Sequence, residues 1–180
     1  MDYSNTITIL RIPFLILILY FVSTSNPLAI FLIPILFFMD WLDGFTARRL
    51  EEDKKSGAVL DIAIDRLVEI LLWVYLAYMK LVPIWVPGVI ITRGILTDSI
   101  RNQFKGRPFD IMKGKLSRIV VSSHTSRGLY GFLKLFTFTF IIANHVLSMG
   151  LNFYVEIFVY LTVIYCVLRG LPVLCKIKDL

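Results

Sequence analysis

Charge is scarce in this chain. Asp, Glu, Lys and Arg together make up 18% of its 180 residues, whereas 57% are hydrophobic and the mean hydropathy is +0.76. That balance excludes an ordinary water-soluble domain and points to an all-α integral membrane protein. Cysteine is nearly absent too. Cys166 and Cys175 fall nine residues apart on one predicted helix, about 13 Å along its axis, which is too far for them to pair. No metal-ligand spacing surrounds them, so they are expected to be packing residues. Polar sequence long enough for a separate soluble domain is also missing. The one substantial loop is "RNQFKGRPFDIMKGKLSR", residues 101–118.

Six apolar stretches fill the rest, at residues 7–24, 27–47, 58–82, 83–100, 126–148 and 152–175. Each comes near the roughly 20 residues that a helix needs to cross a bilayer. Six transmembrane helices use nearly the whole length, and residues 1–180 read as a single membrane domain. The first stretch resembles a signal peptide in carrying Arg11 ahead of an apolar run, but it lacks an A-x-A cleavage pattern and five further spans follow. It is expected to be retained.

Basic residues are lacking on one side of the predicted membrane. Arg48, Arg49, Lys54 and Lys55 follow the second span, a cluster from Arg101 to Arg118 follows the fourth, and Lys176 and Lys178 follow the sixth. Only Lys80 lies on the other side. By the positive-inside rule both termini are cytoplasmic in a multi-pass cell-membrane protein. The net charge of +6 then lies against the anionic leaflet and does not indicate nucleic acid.

Some charge falls within the spans. Arg11, Arg66, Arg93, Arg127, Lys134 and Arg169 lie inside or at the ends of apolar stretches, where an ionisable group is costly unless it snorkels or lines a polar cavity. Arg11 and Arg127 are close enough to span ends to snorkel. Arg66, Arg93 and Arg169 need a polar cavity.

The densest charge lies in "DWLDGFTARRLEEDKKSGAVLDIAIDR", residues 40–66. On a helical wheel Asp40, Asp43, Gly44, Ala47 and Arg48 share one face, and Gly57, Asp61 and Asp65 recur every four residues as a second stripe. Two antiparallel helices joined by "LEEDKKS" would present four carboxylates to one another. Such a cluster needs positive charge. Arg48 and Arg66 could supply it in a buried salt-bridge cluster. Carboxylates without His or Cys also suit two hard divalent ions, Mg²⁺ or Mn²⁺, in a cage fit for displacement at phosphorus. Gly44, Ala47 and Gly57 cut the same face back for a ligand or a close-packed helix.

These eight residues form D-x2-D-G-x2-A-R-x8-G-x3-D-x3-D, which resembles the signature of the CDP-alcohol phosphotransferase family at every fixed position. The resemblance implies a six-helix membrane enzyme, usually a homodimer, that displaces CMP from a CDP-linked lipid with the hydroxyl of a small alcohol, its active site facing the cytoplasm. It implies that Asp40, Asp43, Asp61 and Asp65 hold two divalent cations and that Asp65 is also the general base. Asp43, Gly44, Ala47, Arg48 and Gly57 would line the CDP site, with Arg48 on its phosphates.

Three further stretches resemble phosphatidylglycerophosphate synthases within the family. They are the opening "NTITILRIP", the segment "ITRGILTDSIR" at 91–101, and "GKLSR" at 114–118, which departs from the subfamily pattern at Ser117 and Arg118. The acceptor then implied is glycerol 3-phosphate. A phosphorylated acceptor needs clustered cations, and Arg93, Arg101, Lys115, Arg118 and Arg169 are the candidates, with Thr97 on the face of Arg93 and Arg101. Inositol phosphate, serine or phosphatidylglycerol as acceptor would leave the mechanism unchanged. Outside the family, a transporter with charges along an ion path and an inactive dimeric scaffold are the alternatives. No inverted repeat favours the first, and all four carboxylates are present against the second.

Overall fold

In a computed structural model, residues 3–49, 56–103 and 124–174 are described, with side chains described for 8–39, 62–99, 126 and 128–172. Among them the chain forms six helices and no strand: α1 (Tyr3–Ser23), α2 (Leu28–Arg49), α3 (Ser56–Tyr78), α4 (Trp85–Gln103), α5 (His124–Val146) and α6 (Asn152–Leu174). Each corresponds to one of the apolar stretches.

Three tight turns fold the helices into hairpins. Ser25, Lys80 and Ser148 adopt left-handed backbone conformations, with φ of 50°, 58° and 49°. Around each, the N–H of the next residue reaches back five positions: Asn26 to the carbonyl of Phe21 at 2.8 Å, Leu81 to Leu76 at 2.9 Å, and Met149 to Asn144 at 3.2 Å. This is the Schellman termination, which satisfies carbonyls that the helix end would leave unpaired. The side chain of Asn26 then accepts from the N–H of Leu28 at 3.0 Å, starting α2. Because α1, α3 and α5 end at these turns and α2, α4 and α6 leave them, residues 40–49 and 56–65 lie toward the opposite end of the bundle. Arg93 lies at the middle of α4, and Arg169 in the half of α6 farther from the turns.

Helix α1 packs on α2 and α3, α4 on α3 and α6, and α5 on α2 and α6. Leu15, Ile18, Ile33, Leu36, Leu72, Ile141 and Ile142 are buried at the centre, where the Trp73 ring meets Phe138 with centroids 4.6 Å apart. Polar ties cross the core. Tyr75 donates to the carbonyl of Leu19 at 2.9 Å, and the hydroxyls of Thr137 and Thr162 meet at 2.8 Å between α5 and α6. Cys166 is a buried free thiol within the packing, as expected, and Cys175 lies outside the described residues.

The outward faces are apolar. Ile16, Phe31, Ile62, Ile95, Phe132 and Ile164, one on each helix, stand exposed. Among the described residues, two helical stretches are long and apolar enough to cross a bilayer, Gly128–Val146 with 19 residues and Asn152–Pro172 with 21. Thr8–Ser23 and Leu28–Met39 are shorter apolar helices.

Candidate active site

Helix α2 carries Asp40, Asp43, Gly44, Ala47 and Arg48 through its last three turns, and α3 carries Gly57, Asp61 and Asp65 through its first three. The side chains of Asp40, Asp43, Ala47, Arg48, Asp61 and Arg101 lie outside the described residues, as does any contact of Gly44 and Gly57. Lys115 and Arg118 lie wholly outside them. Asp65, Arg93 and Arg169 are described.

Asp65 is held by a residue that sequence reasoning placed elsewhere. Its Oδ1 accepts from Arg11 Nη2 at 2.7 Å. The Arg11 side chain is 4% exposed and that of Asp65 43%, so the guanidinium is sunk in the bundle while the carboxylate stays open on one side. Arg11 does not snorkel to a helix end. Packing of α1 on α3 offers it a carboxylate partner, which a reading of each span by itself could not supply. The other oxygen of Asp65 has no protein partner among the described residues, and it remains available to a cation or to a proton.

Arg66, which could have supplied positive charge to the aspartates, is engaged by other carboxylates. Its guanidinium grips Asp98 of α4 with Nε at 3.1 Å and Nη2 at 3.3 Å from the two carboxylate oxygens. Its Nη1 stands 3.7 Å from Glu69. Glu69 is buried, accepts from Lys134 Nζ at 3.0 Å and from the Tyr130 hydroxyl at 3.1 Å, and so links α3 to α5. Neither Glu69 nor Asp98 was singled out in the sequence. Glu69 was nevertheless readable there: it continues the every-fourth-residue stripe of Gly57, Asp61 and Asp65 by one more turn, and Lys134 is an in-span cation needing a partner.

Arg93 of α4 lies against α6 at the residue next to Arg169. A Cβ added to Gly170 would stand 2.9 Å from Arg93 Nε and 3.0 Å from its Cγ, so Arg93 lies directly across the backbone of Gly170, beside Arg169. Only a residue without a side chain permits that approach. The Nε of Arg93 is buried with no hydrogen-bond partner among the described residues, and no described carboxylate pairs with it. The Arg169 guanidinium lies 5.1 Å from the centre of the Tyr130 ring. Thr97, expected on the same face, turns its hydroxyl onto its own helix, 2.9 Å from the carbonyl of Arg93 and 3.0 Å from that of Gly94.

A family profile of CDP-alcohol phosphatidyltransferases matches residues 1–168. The chain belongs to this family. Three CDP-diacylglycerol--glycerol-3-phosphate 3-phosphatidyltransferases are similar to it. The protein of Aquifex aeolicus is 39% identical over 67 residues, covering 37% of this chain and 38% of its own. That of Pseudomonas fluorescens is 36% identical over 112 residues, covering 56% and 55%. That of Haemophilus influenzae is 29% identical over 99 residues, covering 52% of each. The chain thus spans about half the length, or less, of these relatives.

CDP-alcohol phosphatidyltransferases generally use divalent metals. Among the described residues no three His, Cys, Asp or Glu side chains come together, because three of the four motif aspartates fall outside them. The donor chemistry nonetheless fits hard cations. The motif offers carboxylates alone, and one oxygen of Asp65 meets no cation among the described residues.

Proposed function

We propose that this chain is a membrane-embedded phosphatidylglycerophosphate synthase. It transfers the phosphatidyl group of CDP-diacylglycerol to glycerol 3-phosphate and releases CMP. The activities for which the three relatives are named support donor and acceptor. The observation that carries the acceptor is the placement of Arg93 against Gly170, the neighbour of Arg169 in the chain, with its Nε buried and without a hydrogen-bond partner among the described residues, a cation suited to a phosphate.

Residues 1–180 form one membrane domain whose six helices cross the bilayer, with both termini and the motif end in the cytoplasm. Apolar faces turned outward on every described helix support lipid as their surroundings. Tyr20, Tyr78, Trp85, Phe153 and Tyr154 are exposed near the three turns, where an interfacial aromatic belt is expected. The basic segments adjoin the opposite end. The protein works as a homodimer.

In the reaction, the hydroxyl oxygen of glycerol 3-phosphate attacks the phosphorus bearing diacylglycerol. The bond from that phosphorus to the CMP oxygen breaks, and CMP leaves with the electron pair. Asp65 takes the hydroxyl proton on the oxygen that Arg11 leaves open, while Arg11 fixes the rotation of the carboxylate through the other. Gly44, Ala47 and Gly57 leave room for the CDP group, Asp43 borders it, and Arg48 meets its phosphates. Arg93 and Arg169 hold the acceptor's phosphate together with Arg101, Lys115 and Arg118. Asp40, Asp43, Asp61 and Asp65 would hold two Mg²⁺ or Mn²⁺ ions, which when bound shield the diphosphate and stabilise the leaving group.

Arg93→Ala is expected to raise the KM for glycerol 3-phosphate roughly ten- to a hundredfold, the loss of one charge-assisted hydrogen bond. The KM for the CDP-lipid should stay within about twofold by the same reasoning. Initial rates with each substrate varied in turn separate the two, and an equal rise in both removes Arg93 from the acceptor site.

Arg11→Ala is expected to lower kcat about tenfold by loosening Asp65, with Arg11→Lys recovering part of the loss. Unchanged kcat in the alanine variant would show that Asp65 needs no such anchor.

A further inference from the structure

We propose that Tyr130 is a positioning residue for the acceptor site. Tethered to Glu69, it sets the orientation of the Arg169 guanidinium toward the acceptor's phosphate; this rests on the glycerol 3-phosphate reading above. The Tyr130 ring is 6% exposed and its hydroxyl donates to Glu69 Oε1 at 3.1 Å. Lys134 Nζ secures the other Glu69 oxygen at 3.0 Å and stands 4.7 Å from the centre of the Tyr130 ring. The tether is therefore fixed from both ends.

Tyr165 of α6 stacks on Tyr130 with centroids 6.0 Å apart and planes 21° from parallel, which leaves the ring little freedom to tilt. Arg169 lies over that ring at 5.1 Å. A cation resting on an aromatic ring is held in place by the ring's charge distribution, and a guanidinium so placed can meet a phosphate through charge-assisted hydrogen bonds. Tyr130 thus sets the position of Arg169.

Glu69 also connects this arrangement to the chemistry. It sits one helical turn beyond Asp65 on α3, about 6 Å along the axis. A single rigid helix therefore carries the residue that takes the hydroxyl proton and the residue that fixes the phosphate's cation. The separation between hydroxyl and phosphate in the acceptor is measured against that helix.

The test uses the purified full chain, with Tyr130→Leu removing ring and hydroxyl and Tyr130→Phe removing only the hydroxyl. Tyr130→Leu should raise the KM for glycerol 3-phosphate about tenfold, and Tyr130→Phe about threefold. Both should leave the KM for CDP-diacylglycerol and kcat within about twofold. A merely structural Tyr130 would lower thermal stability and active fraction while leaving the acceptor's KM unmoved, and that result overturns the proposal. If the unmutated protein does not use glycerol 3-phosphate, the acceptor reading has failed separately, and inorganic phosphate titrated by calorimetry decides about Tyr130. Tenfold weaker phosphate binding in Tyr130→Leu supports the positioning role, and equal binding in both proteins refutes it.

Discussion

Asp65→Asn should reduce turnover about a thousandfold or more, with CDP binding largely retained. The asparagine keeps the shape of the carboxylate, and its amide oxygen can still accept from Arg11, which lies 2.7 Å from Oδ1 of the native residue. What the substitution removes is proton acceptance at the other oxygen. Asp40→Asn should behave differently, because Asp40 is proposed as a ligand only. Losing ligand charge there should weaken metal and CDP binding together. Calorimetry with CDP and Mg²⁺ on both variants, beside CMP release, distinguishes the roles. Near-normal turnover in Asp65→Asn would mean that the proton goes elsewhere.

Removing divalent metal should have an effect of the same size. In excess EDTA, CMP release should fall by about a thousandfold and return with Mg²⁺ or Mn²⁺. The physical ground is the donor set at the ends of α2 and α3. Four aspartates on neighbouring helical faces repel one another unless cations lie between them, and of the nearby arginines whose contacts are described, Arg11 meets Asp65 while Arg66 is engaged by Asp98 and Glu69. Metal should therefore also raise the thermal stability of the unmutated protein, and raise it less in Asp40→Asn. Full turnover in chelator would eliminate the two-cation reading.

The helices were legible because their apolar runs are nearly continuous, and the six stretches in the sequence correspond to the six helices one for one. Their ends were less so. The apolar pattern carried the third helix to residue 82, whereas α3 stops at Tyr78. The chain reverses through Lys80 in a left-handed conformation that glycine ordinarily marks. Ser25 and Ser148 play the same part, so none of the three helix-ending positions carries glycine, although the left-handed Gly150 follows two residues after Ser148. Membership of the family was legible in eight spaced residues, because the spacing of a motif survives without any knowledge of packing.

The partners of the charges were not legible in the same way. Arg11 and Asp65 are 54 positions apart in the chain, and only the packing of α1 on α3 makes them neighbours. The approach of Arg93 to the backbone of α6 depends on the missing side chain of Gly170, a glycine that in sequence could equally have marked a helix end. Glu69 is the instructive miss, since its spacing from Asp65 extends the very stripe that identified the aspartates. An acidic residue on that stripe, together with the unmatched Lys134, pointed to a buried pair between two spans.

The most direct measurement supplies the purified protein with CDP-diacylglycerol and Mg²⁺, and with labelled glycerol 3-phosphate or labelled glycerol as the acceptor. CMP release and label in the lipid fraction are recorded together. With glycerol 3-phosphate, CMP and labelled lipid should appear in equal amounts, and with glycerol neither should rise above background. Equal use of the two alcohols, or no CMP release with glycerol 3-phosphate, would contradict the assignment.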